Sequence, residues 1–153
     1  MEEKLTKELN WYYYGMMALT VISGTLAYLL IYQWHILDPI GTLTQVGQTI
    51  QWVIYFDAMF FIPMGLYGFK RRVDKIRRME DETEKYKLYK KEAIIRIIVV
   101  SNAMVFGIFA FYLLGCYKSM LWVSAIAAIG WYFTKPTPRK IQLELLPPDV
   151  ETY

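Results

Sequence analysis

The chain has 153 residues, 56% hydrophobic and 17% aromatic, a composition that invites aggregation in water and suits a protein bathed in lipid. Its net charge is only +3, but the charges stand almost wholly between and outside four apolar runs. Four spans of about 20 residues leave one charged loop and two short tails, too little to hide a soluble catalytic domain of the usual 50 residues or more.

In chain order, Met1 to Asn10 mixes acids and bases. The run after it is too long for the h-region of a cleaved signal and lacks an A-x-A site, so the first apolar segment reads as a retained span near 11–34. The second span, near 47–69, holds one charge, Asp57, and one helix-kinking residue, Pro63. The third is predicted near 93–117 and the fourth near 119–135. Each should be helical, because a helix satisfies every backbone N–H and C=O within its own segment. The charge-free stretch Ser119 to Thr134 would reach only about 24 Å, so Lys118 and Lys135 are expected to snorkel. The fold class expected is thus an all-α integral membrane protein with four transmembrane helices, one domain over 1–135 and an extended tail over 136–153.

Lys and Arg set the orientation. They crowd the segment between spans two and three, which includes Lys70, Arg71, Arg72, Lys75, Arg77 and Arg78, and they are absent from His35 to Val46. The positive-inside rule then predicts both termini and the long loop in the cytoplasm, in a bacterial-type inner membrane. Aromatic residues fit two interfacial belts, with Trp11 to Tyr14, Tyr67, Trp131 and Tyr132 at the inner face, and Tyr32, Trp34, Trp52, Tyr55, Tyr117 and Trp122 at the outer.

From Lys70 to Glu92 the loop has no Pro and no Gly, so it can continue both flanking helices out of the membrane as a helical hairpin over 70–92. Acid-before-base pairs four apart, Asp74 with Arg78 and Asp81 with Lys85, favour helix. The acidic cluster Glu80, Asp81, Glu82 and Glu84 is the natural turn. Such a hairpin is either a solvated loop whose cations only fix topology, or a docking surface for a partner or for anionic lipid. Nucleic acid is not an expected partner, since acids interleave with the bases and no groove-reading motif is present.

Asp57 is the most pointed local feature. An ionisable group inside a span is costly and usually faces protein or water. Counted inward from their charged ends, Asp57, Ser23, Asn102 and Ser124 all fall ~16–18 Å deep, one per span. If they face one another, Asn102 can donate to Asp57 and the serines can complete the layer. Three uses compete: a hydrogen-bonded register pin, a proton- or cation-coupled transport site, and contact with a partner's transmembrane helix. Arg96, one turn inside the third span, is expected to snorkel to the headgroups.

Small residues four apart, Ser23 with Ala27, Ala103 with Gly107, and Ser124 with Ala128, predict close helix packing. Cys116 reads as an apolar filler near the end of the third span. His35 is the only histidine, and no phosphate loop, nucleophile set or metal cluster occurs, so neither cofactor nor metal is expected. Four prolines make the tail from Thr134 extended, although Ile141 to Leu145 alternates as a strand would. The function expected is a non-enzymatic scaffold or accessory subunit, acting through helix–helix contacts and the hairpin on a homo-oligomer or another membrane subunit. The alternative is an oligomeric transporter or channel using Asp57.

Overall fold

The computed structural model describes residues 2–146, and their regular structure is entirely helical. Helix α1, Glu2–Tyr28, runs on through a π-helical turn, Leu29–Gln33. Then follow α2, Gln45–Arg77; α3, Glu82–Leu113; α4, Lys118–Phe133; and α5, Pro138–Leu145. Three helical stretches, Glu2–Gln33, Gln45–Arg77 and Glu82–Leu113, are long and apolar enough to cross a membrane. Four were expected. The fourth apolar helix, α4, has 16 residues, about 24 Å against a hydrocarbon layer of ~30 Å.

Local chemistry sets the helix ends. The Thr44 side chain accepts from Gly47 N at 3.1 Å and starts α2. Asp81 accepts from Thr83 N at 2.9 Å and Glu84 N at 3.3 Å and starts α3, so the expected acidic turn is an N-cap. Helix α3 stops short of the expected 117 because Gly115 and Cys116 take left-handed backbone, with φ of 67° and 61°. Cys116 is therefore an exposed loop residue and not an apolar filler within the helix.

Helix α3 is central and packs against α1, α2 and α4. Glycines allow the close approach. A Cβ on Gly65 of α2 would lie 2.7 Å from Val100 Cγ2, and one on Gly130 of α4 would lie 3.1 Å from Val100 Cγ1. Val100 is fully buried between them. A Cβ on Gly107 would meet Ser124 Cβ at 3.1 Å, and one on Gly24 would meet Ile108 Cγ1 at 3.2 Å. Tyr13 of α1 stacks on Trp131 of α4 with centroids 4.1 Å apart. It is buried, unlike Trp11, Tyr67, Trp52 and Trp122, which stand exposed.

The hairpin is not alone. The first residues, expected as a tail, are helical from Glu2, and Leu5 and Leu9 are buried with Phe69, Val73, Ile76, Tyr89 and Ala93. Ile141 and Leu145 of α5 close the same core. The tail is thus not extended over 138–145. Thr137 accepts from Lys140 N at 3.3 Å with Pro138 in the first turn, a ready helix start. The alternation Ile141, Leu143, Leu145 resembles a strand, but only the pair four apart is buried and Leu143 is 54% exposed. Pro147, Pro148 and the rest of 147–153 lie outside the described residues.

Candidate functional site

Asp57 and Asn102 are brought together where α2 crosses α3. Asn102 Nδ2 donates to Asp57 Oδ1 at 3.3 Å. The other carboxyl oxygen, Oδ2, is buried and has no hydrogen-bond partner among the described residues. Ser124 does not join them. Its hydroxyl donates to the Met104 carbonyl at 2.9 Å and ties α4 to α3 where Gly107 lets the helices touch. Ser23, half-buried on α1, makes no side-chain hydrogen bond to the other three. The layer is therefore one polar pair and two separate serines, because equal depth does not put residues on facing sides of their helices. Of the small residues, Ala27 and Ala103 are fully buried, while Ala128 is half-buried and its neighbour Ala127 occupies the contact.

The polar pair lies on a side-opening groove, not in an enclosed chamber. Between α2 and α3 a groove of about 400 Å³ is lined by Val53, Ile54, Asp57, Phe106, Phe109 and Leu113, among others. On the other flank Asp57 meets the exposed aromatic face of α2, where Phe56 and Phe60 stack 5.7 Å apart beside Trp52. Nearly everything around the carboxyl is apolar.

The six hairpin cations divide into two groups. Arg72 Nε pairs with Glu92 across α2 and α3 at 2.5 Å. Arg77 contacts Asp74 at 3.4 Å and donates to the Leu146 carbonyl at 2.6 Å and the Leu143 carbonyl at 3.4 Å, clamping the end of α5. Lys70, Arg71, Lys75 and Arg78 are exposed.

Sequence reasoning missed a buried cluster at the root of the hairpin. Arg96 is 4% exposed and lies 3.7 Å over the Phe69 ring. It does not snorkel. Its Nη1 meets Glu144 Oε1 at 3.3 Å, and the Tyr89 hydroxyl donates to the other Glu144 oxygen. Burial pushes the Tyr89 hydroxyl above its ordinary range, and the adjacent Glu144 carboxylate adds to that. Burial likewise lowers Lys140, with Arg96 nearby contributing; its ammonium donates to the Phe133 carbonyl. Two signals were available: the Thr-Pro helix start ahead of Glu144, and a charge at Arg96 that needed a partner.

Among the described residues no group of three His, Cys, Asp or Glu side chains is arranged to hold a metal ion. No protein-family model matches the chain, and no curated protein or solved structure is detectably similar to it.

Proposed function

We propose that this chain is a non-enzymatic membrane protein of four spans, a scaffold or accessory subunit that binds another transmembrane helix through the α2/α3 groove. In this reading α4 is the fourth crossing, completed by Lys118 and Lys135, and both termini and the hairpin face the cytoplasm of a bacterial-type inner membrane. One observation carries the reading: the Asp57–Asn102 pair opens sideways onto apolar, aromatic surface. In hydrocarbon such a pair is costly, and a partner helix that supplies a donor and covers the aromatic face removes that cost.

A photo-crosslinking residue at Phe60 tests it. It should give one adduct of defined mass in native membranes, with a second copy or with another subunit, and Asp57→Ala should reduce it at least about tenfold. A chain that stays monomeric and gives no adduct would sink the proposal. The unpartnered Oδ2 supports a second reading, an oligomeric proton or cation pathway through Asp57. There Asp57→Asn should abolish flux in liposomes while the protein still folds, and normal flux in that variant removes the pathway.

A further inference from the structure

The outward stripe of α2 changes character along its length. Phe60, Met64 and Tyr67 are exposed and apolar, and Arg71, Lys75 and Arg78 continue the same line as exposed cations. At 100° per residue these six lie within an arc of about 80°. Antiparallel to it, α3 presents Lys87 and Lys91, then Ile95 and Ile98, all exposed and within a similar arc. The Arg72–Glu92 pair ties the two helices together at the level of this switch, and the Asp57–Asn102 bond ties them below it. Both stripes therefore switch from apolar to cationic at nearly the same level.

Acids do not cancel these cations where they leave the bilayer. Near the membrane, Glu92 is engaged by Arg72, Asp74 by Arg77, and Glu8 by Lys90 at 2.5 Å. The exposed acids Glu80, Asp81, Glu82 and Glu84 stand at the hairpin tip, nine or more residues beyond Arg71. That is about 14 Å from Arg71, well past a Debye length of ~8 Å at physiological salt, and about one Debye length from Lys75 and Lys91. The hairpin is polarised along its axis, positive at the root and negative at the tip.

We propose that Arg71, Lys75 and Lys91 form a binding site for the headgroup of an anionic phospholipid in the leaflet from which the hairpin emerges. Its acyl chains lie along Met64, Tyr67, Ile95 and Ile98. Arg71 is about four residues, or ~6 Å, beyond Tyr67, the depth of a headgroup layer. The site rests on the membrane reading above but not on the partner helix, which uses the groove and aromatic face from Thr49 to Phe60.

The test uses the full chain in bilayers of equal phosphatidylglycerol and phosphatidylcholine, with the lipid retained after detergent stripping counted by native mass spectrometry. Wild type should hold phosphatidylglycerol at least about tenfold over phosphatidylcholine, given roughly fivefold per cation at an anionic surface. Arg71→Gln/Lys75→Gln/Lys91→Gln should erase the preference. Lys4→Gln/Lys7→Gln/Arg139→Gln, which removes the same charge from other exposed positions, should keep it. Equal loss in both variants would mean a diffuse field and overturn the site, as would no preference in wild type. Should the first variant fail to fold, wild-type selectivity that persists from 0.01 to 1 M salt also overturns it. Asp57→Ala should leave lipid retention intact, so loss of the partner and loss of the lipid site are separate results. Release by carbonate wash would remove both.

Discussion

At the scale of single residues, the root of the hairpin is held by charge chemistry in a dry place. Glu144→Ala leaves Arg96 buried without its carboxylate, and the expected loss is about 3 kcal/mol of stability, read from denaturation in mild detergent. Replacing both partners together, Arg96→Met with Glu144→Leu, should recover most of that loss, because an apolar pair of similar volume needs no counter-charge. Tyr89 gives the pH dependence. Its folded hydroxyl titrates above the ordinary value of 10, so its contribution is complete below that pH. The contribution fades as pH climbs toward the higher folded value. Melting between pH 8 and 12 should show a shallower alkaline loss in Tyr89→Phe than in wild type; identical slopes would mean that the hydroxyl is not held by burial and Glu144.

At the scale of elements, glycines decide how closely the helices approach α3. Gly65→Ala would press a methyl to 2.7 Å from a buried, stiff Val100, with an expected loss of about 1–3 kcal/mol. Gly15→Ala on α1 meets nothing within 4 Å and should cause no loss, which a thermal melt of the two variants compares directly. Much of this element level was legible in advance. The apolar runs gave α1 to α4, the Pro- and Gly-free loop gave the long α2 and α3, and the acidic cluster gave the turn. The ends were harder to read. Met1 to Asn10 is too polar to signal a buried face, yet Leu5 and Leu9 supply one once α2 and α3 stand beside them. Ile141 to Leu145 fits a strand and a helix equally well, and only the tertiary partner selects the helix. In the polar layer, depth was countable from the sequence, whereas facing was not: Asp57 found Asn102 and Ser124 found a backbone carbonyl.

At the scale of the whole molecule, the protein has two parts with different surfaces. Along the apolar stretches many large side chains, such as Val21, Trp52, Phe60 and Trp122, stand exposed, and Gly65, Gly107 and Gly130 let the helices approach closely. Beyond them, the extensions of α1, α2 and α3 join α5 in a small bundle with its own apolar core. That bundle should behave as a water-side unit. Truncation after Lys135 removes α5, bares Leu5, Leu9, Phe69 and Tyr89, and should make the α1 extension and the hairpin susceptible to limited proteolysis while the apolar helices stay protected. Uniform protection of both parts in the truncated chain would show that α5 contributes little to the bundle.

The left-handed bend after α3 has a practical consequence. It turns out the chain's sole thiol, Cys116, at the pole opposite the basic bundle, with Tyr32 beside it at 3.5 Å. Nature has thus supplied a single addressable atom for mapping sidedness. A bulky, membrane-impermeant maleimide added to intact cells should tag the native protein without any engineered cysteine, and tagging only after the cells are opened would mean the molecule sits the other way up.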